Sequence, residues 1–175
     1  MVLELKKSLY GLRQSANLWH RKISLFLKKL GFKLITADPS VFINGQGLII
    51  VVYVDDLLIL GKGLTEIDAI KKKLKEFHPM TDGGLVSKLL GIWFKWGKNS
   101  VQLDQELYSQ QILQEFGMED CKAISTPLSP SVQLNSEGTL LGKSDHKLFW
   151  QLIGQLMFLV VATCPDIAFA VNQLS

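Results

Sequence analysis

Cysteine and histidine are scarce in this chain, and their spacing excludes the common sites that are built from them. Cys121 and Cys164 lie far apart, in no Cys-x-x-Cys or Cys-His pattern, and His20, His78 and His146 are isolated from one another. A disulfide framework or a structural zinc site requires such a pattern. The sequence therefore predicts two reduced thiols in an intracellular protein.

Long apolar segments of the targeting or membrane-spanning kind are also missing. No apolar region of the signal-peptide type follows the first seven residues. The uncharged segment 148–164 is just short of the ~18 residues that suggest a membrane span. Gln151 and Gln155 interrupt it, and glutamine in hydrocarbon needs hydrogen-bond partners. We expect a buried or partner-covered helix and no membrane contact, the alternative being a membrane-associated protein that is soluble only in detergent.

Acidic residues are nearly absent from the start of the chain. Residues 1–33 hold eight Lys or Arg and one acid, Glu4, whereas residues 100–175 hold three bases and eight acids. A basic N-terminal third suits a polyanion such as nucleic acid. A solvated helix face explains the same charges, so the composition leaves both interpretations open.

Two adjacent aspartates, Asp55 and Asp56, interrupt the most hydrophobic stretch of the sequence. Every residue in 48–54 and in 57–60 is apolar or aromatic. Neighbouring carboxylates repel each other unless a cation lies beside them. The pattern of strand, turn and strand predicts that both acids lie at a hairpin tip, where they would bind a divalent cation for a phosphate-bearing substrate. The alternative is a simple polar turn, although Asp-Asp is unusual in two-residue hairpin loops.

Apolar spacing and turn residues predict alternating strands and helices. Strands are expected at 41–43, 48–54, 57–60, 89–96 and 100–103, with 48–54 buried on both faces or nearly so. Five helices are expected, beginning at Ser15, at a Thr65–Asp68 capping box, at Asp104, at Ser144 and at Pro165. This order predicts an α+β fold, an antiparallel sheet with helices on one face.

The region after the second hairpin differs in composition and suggests a second domain. Residues 118–143 are rich in Pro, Gly, Ser and Thr and are predicted to be a linker. We therefore expect a first region at 1–103, which holds the aspartate hairpin, and a mostly helical second region at 104–175.

Short motifs along nearly the whole chain resemble the reverse transcriptases of copia-type (Ty1/copia) retrotransposons. In chain order the matching segments are LYGLRQS at 9–15, LW at 18–19, LGF at 30–32, ADPSVF at 37–42, YVDDLLI at 53–59, LGI at 90–92, STP at 125–127 and PDIAFAV at 165–171. The resemblance implies a polymerase palm at 1–103 and a thumb-like or connection-like segment at 104–175.

The resemblance also implies an activity, a cofactor and partners. The activity is RNA-directed DNA polymerase, a nucleotidyltransferase that uses two Mg²⁺ ions, deoxynucleoside triphosphates and an RNA or DNA template-primer. Asp55 and Asp56 would be the catalytic metal ligands, Tyr53 and Val54 would lie near the primer end and the incoming nucleotide, and Arg13 and Gln14 would lie near the template base and the triphosphate. The location would be cytoplasmic and particle-associated.

One departure from the family pattern bears on activity. The family's catalytic centre uses a further aspartate from a strand upstream of the palm helix, and Glu4 is the only acid before Asp38. We therefore expect the isolated chain to be inactive and to need the upstream polymerase segment, with the ribonuclease H region as a further partner downstream. The alternative is a non-catalytic relic that binds nucleic acid through residues 1–33.

Overall fold

The computed structural model describes Leu9, residues 12–129, Leu134 and residues 139–175. The chain forms two compact units, Met1–Gly84 and Leu85–Ser175. The boundary at 103 and 104, which separates palm-like from thumb-like regions by resemblance, stays a prediction. In the predicted linker, the described residues between 118 and 142 form no helix or strand, and 130–133 and 135–138 lie outside the described residues.

The first unit is a four-stranded antiparallel sheet with two helices. Its elements are α1 (Arg13–Lys29), β1 (Lys33–Leu34), β2 (Val41–Ile43), β3 (Ile49–Tyr53), β4 (Asp56–Leu60) and α2 (Leu64–Phe77). The strands lie in the order β1-β2-β3-β4, so β1 and β4 are the edges of the sheet.

One face of this sheet packs against both helices. The core consists of buried apolar residues from the strands and from one stripe of each helix: Ile23, Leu27, Phe32, Phe42, Leu48, Ile50, Val52, Ile70 and Leu74. Phe26 of α1 stacks on Phe77 of α2, with ring centroids 4.0 Å apart. These contacts place the helices on one face of the sheet, as the sequence predicts.

The prediction that residues 48–54 are buried on both faces or nearly so is wrong, because Tyr53 and Val54 are more than half exposed. Along β3 the burial alternates: Ile50 and Val52 are fully buried, whereas Ile49 and Val51 are only half-buried. Successive side chains of a strand point to opposite faces, and the helices of this unit cover only one of them. Because every residue of this strand is apolar or aromatic, the sequence does not reveal which residues face the helices.

The predicted helix caps are also wrong in detail, because the helices begin at other residues. Leu12 and Gly63 occupy the N-cap positions of α1 and α2, and neither makes a side-chain capping bond. Ser15 therefore lies inside the first turn of α1, and its hydroxyl donates a hydrogen bond of 2.6 Å to the Leu9 carbonyl. Thr65 likewise lies inside α2, so the capping box that was predicted there does not form.

The second unit contains a three-stranded antiparallel sheet and three helices. Its elements are β5 (Lys88–Leu89), β6 (Ile92–Trp96), β7 (Val101–Asp104), α3 (Glu106–Glu115), α4 (Lys143–Ala162), a 3₁₀ turn (Pro165–Ile167) and α5 (Ala168–Leu174). The strand predicted at 89–96 is interrupted, because Leu90 and Gly91, with φ of +51° and +82°, form the turn between β5 and β6. Positive φ at both residues suits the twist of a tight hairpin.

The predicted caps at Asp104 and Ser144 in this unit are likewise displaced from the observed helix starts. Gln105, not Asp104, occupies the N-cap position of α3, although Asp104 Oδ1 accepts a hydrogen bond of 2.8 Å from the Glu106 amide. Gly142 precedes α4, so Ser144 lies within the first turn. With five α-helices and two antiparallel sheets in the described part of the chain, the predicted α+β class is confirmed.

The two glutamines of α4 find a charged partner on α3. Gln155 Nε2 donates to Glu115 Oε2 at 2.7 Å, and Gln151 Nε2 donates to Glu115 Oε1. Both amide nitrogens therefore have an acceptor within the unit, whereas the buried Gln155 Oε1 has no hydrogen-bond partner among the described residues. Among the described residues, no helix has the length and apolarity that crossing a membrane requires.

Candidate metal-binding hairpin

The adjacent aspartates lie at the apex of the β3–β4 hairpin. Tyr53 and Asp56 are the last paired residues of the two strands, so Val54 and Asp55 form a two-residue turn. Val54 has φ of +49°, in the left-handed region that branched side chains rarely adopt. Tight hairpins use positive φ at the first turn position because this matches the twist of the strands. Such strain at a valine costs on the order of 1–3 kcal/mol and is most frequent at functional sites.

The register of the hairpin assigns Asp56 to the open face of the sheet. Val52 is buried against the helices, and its partner Leu57 packs against the same core. Since side chains alternate along a strand, Asp56 and its partner Tyr53 share the opposite face, which the helices do not cover. Tyr53 is 51% exposed and Val54 53% exposed.

Both carboxylates are exposed and have no partner within the described part of the chain. Neither Asp55 nor Asp56 takes part in any of the ion pairs or side-chain hydrogen bonds that the described residues form. Hard oxygen ligands of this kind suit Mg²⁺, which proteins bind through one or two carboxylates together with substrate phosphates. The described residues contain no cluster of three or more acids, histidines or cysteines that could hold a metal ion. Asp55 and Asp56 would therefore be two ligands of an ion whose other positions water and substrate would fill.

The six predicted site residues fall into two groups. Tyr53, Val54, Asp55 and Asp56 are contiguous at the hairpin apex. Arg13 and Gln14 lie in the first turn of α1, where Gln14 is exposed. Among the described interactions none joins Gln14 to the hairpin, so its role near a template base or triphosphate stays a prediction.

The free edge of β4 lies next to these acids. Asp56 is the first residue of β4, and β4 pairs only with β3 in the described sheet. A strand that paired with this edge would lie about 4.8 Å from β4. A carboxylate on such a strand could therefore approach the apex, whereas one next to β1 would be separated from it by three strands.

The sequence interpretation missed two charged networks outside the hairpin. Asp82 forms ion pairs with Lys71 at 3.1 Å and with Lys75 at 3.6 Å. The Gly84 amide and Lys71 hold the pKa of Asp82 below its ordinary value. The lysine pair has helical i, i+4 spacing, but nothing in the sequence identifies the acid that they share.

The second network joins the second sheet to α3. Lys95 forms ion pairs with Asp104 and, at 3.6 Å, with Glu106. The Lys95 ammonium, followed by the Glu106 amide, lowers the pKa of Asp104, and Asp104 in turn raises the pKa of Lys95. This network neutralises Lys95 within the unit.

The chain matches a known protein family over most of its length. The family model described as reverse transcriptase (RNA-dependent DNA polymerase) matches residues 1–130. The chain therefore belongs to the reverse transcriptase family, and its relatives place it among the copia-type retrotransposon sequences.

Three relatives illustrate the similarity. The chain is 34% identical to the Retrovirus-related Pol polyprotein from transposon TNT 1-94 of Nicotiana tabacum, over 100% of its own length and 14% of that polyprotein. It is 34% identical to the corresponding polyprotein from transposon RE1 of Arabidopsis thaliana, over 99% of the chain and 12% of the polyprotein. A putative transposon Ty5-1 protein of Saccharomyces cerevisiae is 32% identical over 99% of the chain and 58% of its own length. No solved structure matches the chain significantly.

Proposed function

We propose that this chain supplies the metal-binding hairpin of an RNA-directed DNA polymerase. In this proposal Asp55 and Asp56 bind the catalytic Mg²⁺ ions, and Tyr53 and Val54 contact the primer end and the incoming nucleotide. The observation that carries the proposal is the pair of exposed carboxylates at the hairpin apex, which form no ion pair or side-chain hydrogen bond with a described residue, in a chain that belongs to the reverse transcriptase family.

The hairpin would serve this chemistry through the position and the charge of its carboxylates. Asp56 projects from the open face of the sheet, where a primer end has access, and Asp55 lies in the turn. Two Mg²⁺ ions bound there would supply the positive charge that activates the primer hydroxyl and neutralises the leaving pyrophosphate. The backbone of Val54, held in its left-handed conformation, would fix the direction of both acids relative to the sheet.

We further propose that the chain does not polymerise alone. Residues 1–37 contain no aspartate, and the family's centre takes a further aspartate from a strand upstream of the palm helix. The free edge of β4 is the place where such a strand would pair and complete the site. The upstream polymerase segment, the ribonuclease H region, the template-primer and the deoxynucleoside triphosphates are then the partners, in a cytoplasmic particle.

Primer extension tests this proposal in two arms. The purified chain should extend a primer on an RNA template with no detectable product, whereas a fusion with an upstream segment from a copia-type relative should extend it in the presence of Mg²⁺. Asp55→Asn or Asp56→Asn should then reduce extension by more than the about 10- to 100-fold that loss of an outer-shell partner costs. Asp68→Asn removes an exposed carboxylate of α2 and serves as the matched control.

Two outcomes of this experiment would contradict the proposal. Extension by the purified chain without the upstream segment would refute its dependence on a further aspartate. If the fusion extended primers equally well with and without the hairpin carboxylates, the assignment of the metal ligands would be wrong.

A second candidate function is non-catalytic binding of nucleic acid by the basic N-terminal third. Helix α1 contains no acidic residue, and its exposed Arg21, Lys28 and Lys29 form no ion pair with a described residue. This function predicts salt-dependent binding that survives Asp55→Asn. Lys28→Ala should reduce the slope of log K against log salt by about 0.7 to 0.9 for each phosphate contact that is lost. An unchanged slope would leave α1 as a solvated helix face.

A further inference from the structure

The outer face of α4 is apolar, although it is the face that the described part of the second unit leaves uncovered. Trp150, Met157 and Val161 are 48%, 42% and 81% exposed, whereas Ile153 and Leu159 of the same helix are buried. The three exposed residues recur at spacings of seven and four, which places them on one stripe of a helix with 3.6 residues per turn. A contiguous exposed apolar stripe marks an interaction surface.

A glycine lies in the middle of this stripe and has no packing role within the described chain. Gly154 is exposed, and a side-chain carbon added to it would have no heavy atom within 4 Å beyond its own helix backbone and chain neighbours. Glycine destabilises a helix interior more than any residue except proline, and no neighbour requires its small size here. Its effect is a notch in the surface, through which a second helix could approach closely. We name this surface the α4 stripe: Trp150, Gly154, Met157 and Val161.

The tryptophan of the α4 stripe is held in place by neighbours on the same helix. Its indole Nε1 donates a hydrogen bond of 3.1 Å to His146 Nε2, and its ring meets the Phe149 ring edge-on, with centroids 5.7 Å apart. A side chain that is ordered before association loses less conformational entropy when a partner covers it. Tryptophan is also among the residue types that most often dominate the binding energy of an interface. Trp150 is therefore suited to anchor a contact on this stripe.

The charges at the two ends of α4 are of opposite sign. Lys143 and Lys147 are exposed and continue the α4 stripe toward the start of the helix, whereas Asp145 lies two residues from each and so points away from it. At the other end the last turn contains no basic residue that would offset the negative end of the helix dipole, and the exposed Asp166 follows in the 3₁₀ turn. Neither lysine nor Asp166 takes part in an ion pair with a described residue.

This pattern is complementary to itself when two copies of the helix lie antiparallel. Gly154 is eleven residues from Lys143 and twelve from Asp166, and at the helical rise both lie about 16–18 Å from it along the axis. In an antiparallel pair that crosses at Gly154, Lys143 of each copy therefore comes beside Asp166 of the other. Trp150 of each copy comes beside Met157 of the other. A parallel pair would instead bring the lysines of both copies together, which like-charge repulsion disfavours.

We propose that the α4 stripe is an interface through which two copies of this chain associate antiparallel. The same patch on both copies gives the closed two-fold symmetry that most homodimers have. The contact covers one face of a helix about 30 Å long and about 10 Å wide. This area is well below the about 800 Å² per partner of a standard stable interface, so the dimer should dissociate at micromolar concentrations. The proposal concerns association of the chain and does not depend on polymerase chemistry.

Analytical ultracentrifugation of the whole chain across micromolar concentrations tests the proposal, and the unaltered chain should change from monomer to dimer. Val161→Lys should weaken the dimer by about 10-fold or more, because it places a charge in the apolar contact. Gly154→Leu should weaken it similarly by filling the notch. It should nevertheless raise the unfolding midpoint of the monomer, because leucine is a better helix former than glycine. Opposite effects on association and stability distinguish a lost interface from a damaged fold.

Charge reversal tests the antiparallel orientation. Lys143→Glu should weaken the dimer by about 2- to 10-fold at low salt, because two symmetric exposed pairs become repulsive. Adding Asp166→Lys to Lys143→Glu should restore the dimer, since opposite charges again lie beside each other. Leu107→Lys is the matched control for Val161→Lys: Leu107 is 55% exposed on α3 and lies outside the α4 stripe, so its dimer should match that of the unaltered chain.

Three outcomes would overturn the inference, and none of them bears on the proposed function. The first is a chain that stays monomeric throughout this range. The second is a dimer that Val161→Lys and Gly154→Leu leave intact, or that the double charge reversal fails to restore. The third is a monomeric chain that binds lipid vesicles or an oligonucleotide and loses that binding in Val161→Lys, which would assign the α4 stripe to that ligand.

Discussion

Replacement of Val54 by glycine should stabilise the hairpin, which is the reverse of what glycine does in a strand. Val54 has φ of +49°, and relief of that strain contributes on the order of 1–3 kcal/mol. Glycine costs about 0.5–1 kcal/mol in backbone entropy. The valine side chain is 53% exposed, so its loss forfeits under half of the about 1.5 kcal/mol that full burial contributes. At the middle of these ranges the balance is a gain of about 0.5 kcal/mol.

Hydrogen exchange of the β3 and β4 amides measures the change in stability of the hairpin itself. The opening free energy of β3 and β4 reports the stability of the first unit alone. The measurement is therefore valid whether or not the two units unfold together. A gain of this size corresponds to a rise of about 2–4 °C in the midpoint of an 84-residue unit. Slower exchange in Val54→Gly is therefore the expected result.

Val51→Gly is the matched control, because it makes the same substitution three residues earlier in the regular part of β3. Val51 is half-buried and pairs with Leu58, and its backbone has no strain to release. It should lose about 1–2 kcal/mol, from the glycine entropy and the lost apolar burial. If Val54→Gly accelerated exchange as much as Val51→Gly, the turn would not be strained and the reasoning would fail.

Two further predictions concern the second unit. The lowered pKa of Asp104 means that its stabilising contribution is complete above the ordinary carboxyl value of 3.8 and is lost as pH falls through the folded value. An acid titration of stability should therefore be flatter in Asp104→Asn, and a parallel titration of both proteins would contradict the Lys95 contact. Glu115→Ala should destabilise this unit by about 1–2 kcal/mol in urea unfolding, because Gln151 and Gln155 lose their acceptor; an unchanged midpoint would show that water replaces Glu115 without loss.

The position of the two aspartates was predictable from the sequence, whereas the face they occupy was not. Asp55 and Asp56 are the only charged residues between 48 and 60, which indicates a turn because charge is costly inside an apolar strand. Every other residue there is apolar or aromatic, so no period-2 pattern distinguishes Val52 from Tyr53. Only the packing of α1 and α2 reveals which side of the sheet is covered.

The contacts of the second unit depend on residues that are far apart in the chain. The glutamines of α4 were expected to need partners, but their acceptor Glu115 is 36 and 40 residues away. No local pattern connects an acid at the end of one helix with amides in the middle of another. The predicted helix starts were wrong for a different reason. Ser15 and Thr65 are good capping residues, but the residues with the extended backbone that precedes each helix are Leu12 and Gly63.

The two-residue length of the turn between Tyr53 and Asp56 restricts insertions and deletions more severely than it restricts side-chain chemistry. A register shift by one residue exchanges the two faces of a strand. In β4, such a shift would turn Asp56 toward α1 and α2 and would expose Leu57 in its place. Loop length at this apex should therefore tolerate far less variation among functional copies of such sequences than the identity of the residue at position 54, since a single added codon removes a carboxylate from the accessible surface.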